Sequence, residues 1–191
     1  MRIIAGFLGG RSLKAAEGPG YRPAMSRVRE ALFSMLESRG VAWRSARCLD
    51  LFAGSGSLGF EAVSRGAPLA CFVESGKEAA RVLRENATRL GLWPERSASV
   101  CVFEEECGRF LRRCPAHQFE VAFVDPPYGN DVLTPALRQL LNNGWLAPGG
   151  IIAAEISARA ALKAEETDAR LGILADRLYG QTRIVVWNIE T

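Results

Sequence analysis

The sequence predicts an α/β protein: a mostly parallel β-sheet with helices on both faces and an antiparallel hairpin near its C-terminal end. Three observations predict this fold class. From Arg47 onward, short apolar runs alternate with amphipathic stretches, as expected of successive β-α-β units. The last two apolar runs flank Tyr179-Gly180-Gln181, a sequence typical of a hairpin turn. A length of 191 residues with 48% hydrophobic content suffices for one domain with a substantial core.

The first quarter of the chain is punctuated by glycine and proline, which predicts turns and short extended pieces. A helix is expected next, because Ser26 can cap its start and apolar residues follow at helical spacing to about Ser38. We therefore divide the chain in two. Residues 1–46 form a basic N-terminal arm and a first helix packed on the core, and residues 47–191 form the main domain.

The main domain is expected to contain five strands followed by the hairpin. The strand candidates are residues 48–52, 70–74, 99–103, 121–125 and 151–156, and the hairpin strands are 171–178 and 182–189. Residues 131–143 predict a helix in which four leucines share one face: Leu133, Leu137, Leu140 and Leu141. Residues 157–170 are polar and rich in alanine and receive no assignment. In open sheets of this kind, ligands bind beyond the carboxyl ends of the strands.

Positive charge is concentrated in the first quarter of the sequence. Residues 1–47 hold eight Arg and one Lys against three Glu, a net charge of +6, whereas the remainder carries a net charge of −3. This asymmetry suggests a polyanionic partner such as nucleic acid, although a solvated Arg-rich surface explains it equally well. On the first interpretation, the candidate phosphate contacts are Arg11, Lys14, Arg22 and Arg27.

The cysteine content and the hydropathy pattern favour a cytoplasmic protein. Five cysteines occur, an odd number, and none lies in a C-x-x-C pair, which suits a reducing compartment. No apolar run approaches the roughly 18 residues that span a membrane, and the first residues do not resemble a secretion signal. A metal site built from Cys101, Cys107, Cys114 and His117 is conceivable, but the spacing matches no zinc pattern. Small buried thiols are the simpler interpretation, so no metal is expected.

A glycine loop follows the first predicted strand in the stretch LDLFAGSGSLGFEA, residues 49–62. Its G-x-G-x-x-G spacing (Gly54, Gly56, Gly59) allows a ligand to approach the backbone closely. The loop carries no Lys or Arg, and Asp50 suits an ammonium group better than a pyrophosphate. Glu74 ends the next strand, where a carboxylate can accept hydrogen bonds from both ribose hydroxyls. This pattern fits NAD and the nucleoside of S-adenosylmethionine equally well; otherwise Asp50 caps a turn and Glu74 is a surface acid.

A second unusual stretch, FVDPPYGNDV at residues 123–132, follows the fourth predicted strand. Asp125 offers carboxylate oxygens, Pro126 offers a carbonyl in a fixed direction, and Tyr128 offers a flat aromatic face. Two acceptors and a stacking ring are what an exocyclic amine on a nucleobase requires, because they hold its hydrogens and fix the plane of the base. The alternative is a Pro-rich turn without a chemical role.

Five blocks of sequence, taken in order, resemble the RsmD family of bacterial small-subunit ribosomal RNA guanine-N2 methyltransferases. They are RIIAGFLGGRSL (2–13), RPAMSRVREALFSML (22–36), LDLFAGSGSLGFEAVSRGA (49–67), FVE (72–74) and VDPPY (124–128). The likeness runs from the first residues to about Ile156 and includes the closing hairpin. The DPPY motif is shared with other amino-methyltransferases, whereas the first block points to this family.

The resemblance implies a Rossmann-like class I methyltransferase sheet of seven strands, S-adenosylmethionine as cofactor, S-adenosylhomocysteine as product and no metal. The implied cofactor contacts are Asp50, Phe52, Ala53, Gly54, Ser55, Gly56, Leu58, Glu74, Ser75, Glu106 and Cys107. The implied contacts to the target guanine are Asp125, Pro126, Pro127 and Tyr128. The chain departs from the family at Ser26, Gly76 and Glu106, where Asp is usual.

Small-subunit ribosomal RNA is the implied partner, either naked or in an assembled or assembling subunit. No membrane and no obligate protein partner are implied. Three alternatives remain open at this point: an amino-methyltransferase acting on adenine N6 in DNA or RNA, a non-catalytic RNA-binding assembly factor, and a dehydrogenase.

Overall fold

The computed structural model describes residues 1–15, 26–92, 100–127, 132–160 and 168–190. Five helices lie at Ser26–Ser38 (α1), Ser57–Ser64 (α2), Lys77–Leu90 (α3), Cys107–Leu111 (α4) and Leu133–Asn142 (α5). Seven strands lie at Arg47–Leu51 (β1), Leu69–Glu74 (β2), Val100–Glu104 (β3), Phe119–Val124 (β4), Leu146–Ser157 (β5), Leu171–Tyr179 (β6) and Thr182–Ile189 (β7).

The seven strands form one sheet in the order β3-β2-β1-β4-β5-β7-β6. The first five strands are mutually parallel, and β7 inserts between β5 and β6, antiparallel to both. The predicted fold class and the closing hairpin are therefore confirmed. Strand order reverses between β1 and β4, so the carboxyl ends of these two strands face a crevice at which open α/β sheets bind ligands.

Helices cover both faces of the sheet. One hydrophobic cluster joins α1, α2 and α3 to the sheet through side chains that include Phe33, Phe60 and Phe123. The second joins α4 and α5 to the opposite face, with Leu137 and Val124 among its members. Because side chains alternate along a strand, each strand contributes to both clusters. The four leucines predicted to share a face of α5 are all buried.

Residues 1–15, which we call the arm, form a small looped structure docked on α2 and α3. An antiparallel bridge joins Arg2 to Ser12, and the backbone N–H of Ile3 donates to the carbonyl of Arg11 at 3.0 Å. Ile3, Leu8 and Leu13 are buried in the same cluster as α1 and α2. The arm thus shares the core of the main domain, while the proposed division at residue 46 stays a prediction.

Two buried polar residues of α2 hold the arm. The Glu61 carboxylate accepts the backbone N–H of Ile4 at 2.7 Å and of Ala5 at 3.0 Å. The Ser64 hydroxyl accepts the N–H of Leu8 at 3.0 Å. Gly6 lies against this helix with φ of +80°, and a Cβ there would sit 1.8 Å from the carbonyl oxygen of Ser64. Only glycine therefore permits this approach.

The predicted element bounds agree with the structure to within about two residues, except at the start of the fifth strand. The fourth strand begins at Phe119 and ends at Val124, which leaves Asp125 just beyond the sheet. The fifth begins at Leu146 rather than 151, because the pairing with β4 continues across Pro148-Gly149-Gly150 with a register irregularity. In the described part of the chain, no helix has the length and apolar character of a membrane span.

Candidate active site

Acidic residues stand at the carboxyl ends of four neighbouring strands. Asp50 lies in β1, Glu74 ends β2, Asp125 follows β4, and Glu155 lies near the end of β5. Strand register places Asp50 beside Phe72 and Phe123, and Val124 beside Ala154. Since Ala154 faces the α4/α5 layer, Glu155, the next residue of β5, falls on the α1/α2 side, and Asp125 follows Val124 directly beyond the end of β4.

The glycine loop between β1 and α2 has an unusual backbone. Phe52, Gly54 and Gly56 adopt positive φ angles of 62°, 55° and 83°, and Phe52 is the non-glycine residue of the described chain that does so. A positive φ at a phenylalanine is costly, and such strain clusters at ligand sites. The loop turns back sharply, and the Ala53 N–H donates to Val73 of β2 at 3.0 Å.

The three glycines of the G-x-G-x-x-G pattern have different reasons to be glycine. A Cβ at Gly56 would sit 2.4 Å from Leu83, and one at Gly59 would sit 2.3 Å from the Phe72 ring. These two glycines therefore serve internal packing. At Gly54 a Cβ would meet no atom of the described residues within 4 Å, so this part of the loop is open to that extent. Among the three, Gly54 is the one suited to close approach by a ligand.

Glu74 connects the glycine loop to the start of α3. One carboxylate oxygen accepts the N–H of Gly54 at 2.8 Å, and the other accepts the N–H of Gly76 at 2.6 Å. Each carboxylate oxygen has a second acceptor position, so both can still receive a hydrogen bond from a ligand hydroxyl. Ser75, the next residue, is exposed at the same edge. Glu74 is thus a buried hydrogen-bond acceptor next to the backbone of Gly54, rather than an isolated surface acid.

Asp50 is buried beneath the loop and accepts the N–H of Gly59 at 2.9 Å. Burial raises the pKa of Asp50 to about 8, against the lowering effect of this hydrogen bond and with a further rise from the charge of Glu74. A buried carboxyl of this kind would gain from a neighbouring cation. Asp50 therefore suits a cationic group, Glu74 suits ribose hydroxyls, and Gly54 allows a ligand to approach the backbone. S-adenosylmethionine has both a cationic group and a ribose.

The residues after β4 are described as far as Pro127. Asp125 is partly exposed, Pro126 is buried and Pro127 is exposed. Burial raises the pKa of Asp125 well above its ordinary value, and the charges of Glu155 and Asp50 raise it further. Tyr128, the predicted stacking residue, lies outside the described residues.

Two buried charged residues, Glu155 and Arg29, were not identified as site residues from the sequence. Glu155 is only 9% exposed, and its charge acts on both Asp125 and Arg29. Arg29, on α1, is fully buried; one amino group donates to the carbonyl of Arg2, and Nε lies 4.0 Å from Glu61. Burial lowers the pKa of Arg29, while the charges of Glu61 and Glu155 oppose this. A charged residue within an apolar helical stripe was the available signal for Arg29.

Asn86 is a third residue that sequence reasoning missed. It is fully buried on α3, and its side-chain amide bonds both to the arm and to the glycine loop. The oxygen accepts the Lys14 N–H at 2.8 Å, while the nitrogen donates to the carbonyls of Lys14 at 3.0 Å and Ser55 at 3.1 Å. An amide on the buried face of an amphipathic helix, between Leu83 and Leu90, was the signal in the sequence.

The remaining cofactor candidates lie at the end of β3 and in the first turn of α2. Glu106 caps α4, with its two oxygens accepting the N–H groups of Gly108 and Arg109 at 2.9 Å each. Cys107 and Leu58 are buried. Glu106 is exposed and its carboxylate already serves the helix, so its predicted contact to adenine stays a prediction.

The candidate phosphate contacts are partly engaged within the protein. Arg11 donates to the carbonyl of Arg89, and the Lys14 ammonium lies 2.7 Å from the Glu85 carboxylate. Arg27 is exposed on α1, and Arg22 lies outside the described residues. Several arginines in the basic quarter are structural, since Arg29 is buried and Arg47 pairs with Glu120 at 2.7 Å. The positive charge available to a partner is thus smaller than the net charge of +6 counted for residues 1–47 of the sequence.

The chain matches a protein-family model over residues 1–188, described as conserved hypothetical protein 95. It is 37% identical over 186 residues to ribosomal RNA small subunit methyltransferase D of Haemophilus influenzae, covering 94% of this chain and 93% of that protein. It is also 37% identical over 155 residues to the protein of the same name from Escherichia coli K12, covering 81% and 74%.

Solved structures with the same fold extend over the whole chain. One is named "Putative methyltransferase yhhF from Escherichia coli", with a TM-score of 0.84, 31% identity and coverage of 100% of this chain and 98% of that one. Another is the hypothetical protein TTHA0928 of Thermus thermophilus, with a TM-score of 0.80, 34% identity and coverage of 100% and 99%.

Proposed function

This chain belongs to the RsmD family of methyltransferases, and on that premise we propose that it transfers a methyl group from S-adenosylmethionine to the N2 amine of a guanine in small-subunit ribosomal RNA. The observation that carries the proposal is the turn Asp125-Pro126-Pro127 at the crevice between β1 and β4. The negative charges of Glu155 and Asp50 act on Asp125. The family's relatives are named for ribosomal RNA methylation, which favours this acceptor over adenine in DNA.

The cofactor would be held by the strained glycine loop and the two acids that flank it. Gly54 leaves the backbone open, Glu74 offers acceptor positions to ribose hydroxyls, and Asp50 offers a buried carboxyl to a cationic group. When bound, S-adenosylmethionine supplies a methyl group activated by a sulfonium leaving group. The contribution of this loop is binding and orientation, since alignment alone can supply about 7–11 kcal/mol of the barrier reduction.

Asp125 and the Pro126 carbonyl would act on the amine. The lone pair of an exocyclic amine is delocalised into the ring, so the nitrogen is a poor nucleophile. Two acceptors that hold its hydrogens can direct the lone pair out of the ring plane toward the methyl group. As the nitrogen becomes positively charged, the ionised form of Asp125 would stabilise it, and the raised pKa of this carboxyl favours transfer of the released proton to it.

The experiment that tests the proposal identifies the methylated nucleoside. The protein is incubated with methyl-labelled S-adenosylmethionine and either deproteinised small-subunit rRNA or small ribosomal subunits, and the RNA is digested to nucleosides. Labelled N2-methylguanosine is expected. N6-methyladenosine would replace the proposal with the adenine alternative. Cofactor and RNA binding without transfer to either substrate would favour a non-catalytic assembly factor. Calorimetric titration with S-adenosylmethionine and with NAD tests the third alternative, because a dehydrogenase would bind NAD.

A further inference from the structure

The proposed reaction leaves open how the site distinguishes guanine from adenine, because both bases carry an exocyclic amine. The difference lies in the ring nitrogen next to that amine. In guanine, N1 carries a hydrogen and donates, so the amine and N1 form a pair of adjacent donors. In adenine, the amine is flanked by N1 as an acceptor. A site that presents a second acceptor beside the one that holds the amine would therefore favour guanine.

Glu155 occupies the position for such a second acceptor. Register pairs Val124, the last residue of β4, with Ala154 of β5. Asp125 follows Val124 just beyond the strand and Glu155 follows Ala154, and the charge of Glu155 acts on Asp125. Neighbouring strands lie about 4.8 Å apart, a separation that two carboxylate side chains can close to the spacing of adjacent donors on one base edge. Because Ala154 faces the α4/α5 layer, strand alternation directs the side chain of Glu155 to the opposite face of the sheet.

Glu155 is a buried acid in an otherwise apolar stretch of β5. It is 9% exposed at the end of an apolar strand, where burial of a carboxylate is costly without compensation. Arg29 supplies compensating charge: it is fully buried, and among the described residues its Nε and Nη1 have no hydrogen-bond partner. The charges of Glu61 and Glu155 both act on Arg29. Glu155 thus acts electrostatically on an interior cation as well as on Asp125, the acid of the turn that would receive the base.

We propose that Glu155 selects guanine by accepting the N1 hydrogen of the base whose N2 amine Asp125 holds. This inference rests on the proposed function. With adenine in the same orientation, the carboxylate of Glu155 would face the lone pair of N1, and the repulsion between the two acceptors would oppose binding. Glu155 therefore determines specificity, while Asp125 acts on the reacting nitrogen.

The test uses 2-aminopurine, which keeps the N2 amine of guanine but has an unprotonated N1 and lacks O6. Because two positions differ, the decisive measurement is how substitution of Glu155 changes the preference between the two bases. The methylated guanine is first mapped with unmodified rRNA. Synthetic RNA carrying either guanine or 2-aminopurine at that position is then ligated into the rRNA, and single-turnover transfer is measured on both templates. The wild-type protein should methylate guanine about 100-fold faster or more, since sites built to bond a donor reject analogues that lack it.

Glu155→Gln should reduce this preference to below about tenfold, because the amide can donate to N1 of 2-aminopurine as well as accept from guanine. Its rate on 2-aminopurine should exceed the wild-type rate, an increase that general damage to the fold cannot produce. Glu155→Asp keeps the charge with a shorter reach; it should slow transfer to guanine but retain a preference above tenfold. Glu120→Gln, the same substitution at the opposite end of β4, is the matched control and should preserve the wild-type ratio.

Equal rates of the wild-type protein on the two templates would overturn the inference while the proposed function stands. The same holds if Glu155→Gln slows both templates by one common factor, since that is the signature of a purely structural residue. If Glu155→Gln fails to fold, Glu155→Asp decides: a smaller guanine preference than that of the wild-type protein supports the inference, and a wild-type preference overturns it. Absence of transfer to guanine itself would instead overturn the proposed function, and the inference with it.

Discussion

Asp125 is the residue on which the proposed chemistry depends most directly. A negative acceptor next to a nitrogen that gains positive charge contributes mainly in the transition state. Asp125→Ala should therefore lower the single-turnover rate by on the order of a hundredfold or more, with smaller effects on RNA and cofactor affinity. Asp125→Asn should be milder, because the amide oxygen still accepts one hydrogen bond. Asp176→Asn, which alters a surface pair with Arg183, is the control. A folded Asp125→Ala variant with wild-type rate would make Asp125 only a turn residue.

Glu74 is expected to matter for the cofactor rather than for RNA. Charge-assisted hydrogen bonds to ribose hydroxyls are worth roughly 1.5–3 kcal/mol, and loss of Glu74 also frees the Gly54 and Gly76 N–H groups. Glu74→Ala should therefore weaken S-adenosylmethionine binding by about tenfold to a hundredfold in calorimetric titration. Glu78→Ala, an exposed acid four residues away that pairs with Arg81, should bind normally. Unchanged cofactor affinity in folded Glu74→Ala would contradict a contact with ribose and leave Glu74 only its hydrogen bonds to the loop backbone.

Asp50 should make cofactor binding depend on pH. Its pKa is raised to about 8, so the carboxyl is mostly protonated at pH 6, and a cationic ligand must first displace that proton. The affinity for S-adenosylmethionine should thus rise by up to about tenfold per pH unit between pH 5.5 and 7.5. Asp50→Asn should be weaker and nearly independent of pH. A flat profile in the wild-type protein would contradict a cationic partner for Asp50.

The raised pKa of Asp50 also makes the free energy of unfolding depend on pH. The contribution of Asp50 decreases as the pH rises, whereas that of an ion-paired surface carboxylate increases. The folded protein holds a proton on Asp50 between about pH 4 and pH 8, whereas the unfolded chain does not. The contribution of Asp50 to the free energy of unfolding is therefore complete below pH 4 and is lost as the pH rises through 8. Denaturant titrations of wild-type and Asp50→Asn proteins should diverge over this range.

At the scale of elements, docking of the arm on α2 can be tested with two glycines of nearly equal backbone geometry. Gly6 and Gly10 have φ angles of +80° and +81°, so alanine at either costs about 1–2 kcal/mol in backbone strain. A Cβ at Gly10 meets no atom within 4 Å, whereas one at Gly6 would overlap the Ser64 carbonyl. Gly6→Ala should therefore lower the free energy of unfolding clearly more than Gly10→Ala in urea titrations. Equal losses would mean that the arm does not dock on α2 as described.

The order and type of elements were predictable because apolar runs of strand length alternate with helical stripes from Arg47 onward. The start of β5 was not, because Pro148, Gly149 and Gly150 are typical of a turn, while the pairing with β4 extends through them. Strand order also cannot be read from hydrophobic periodicity; the expectation of this sheet came from the family resemblance.

For the site, the rule that ligands bind beyond strand ends was enough to predict Asp50, Glu74 and Asp125 as candidates at one edge of the sheet, and the structure has them at strand ends there. Their contacts with cofactor and base stay predictions. Asn86 and Arg29 were missed because their roles depend on packing between distant segments. Each lies on a helix face that is otherwise apolar, and its partners are more than 25 residues away in sequence. Local patterns report a polar residue on a buried face, but they do not report what it bonds to.

At the scale of the whole molecule, the distribution of charge leads to a prediction about RNA binding. Arg11 and Lys14 lie together on the arm, and Arg27 is exposed on α1. If the first two contact phosphates, changing both to Ala should reduce the slope of log affinity against log salt by about 0.7 per lost contact for unpaired RNA. Their bonds to Arg89 and Glu85 compete with such contacts, so the change should not exceed this value.

The matched control for this measurement is the double change of Arg170 and Arg177 to Ala, two exposed arginines at the β6 edge of the sheet. It removes the same charge from the protein and should leave the salt slope unchanged. Cofactor affinity should remain constant in both double variants. Equal slopes for the wild-type protein and the Arg11/Lys14 variant would exclude these two residues as phosphate contacts.

The way the arm is fastened also constrains when it can fold. Its bonds from Ile4, Leu8 and Lys14 reach residues 57, 56 and 72 positions later in the chain, on α2 and α3. During synthesis the arm therefore leaves the ribosome well before the helices that receive it exist. Closing loops of this length is entropically costly and is repaid only once the receiving surface has formed. The arm should thus dock late, after β1, α2 and β2 have come together, and Ile3, Leu8 and Leu13 must stay exposed until then.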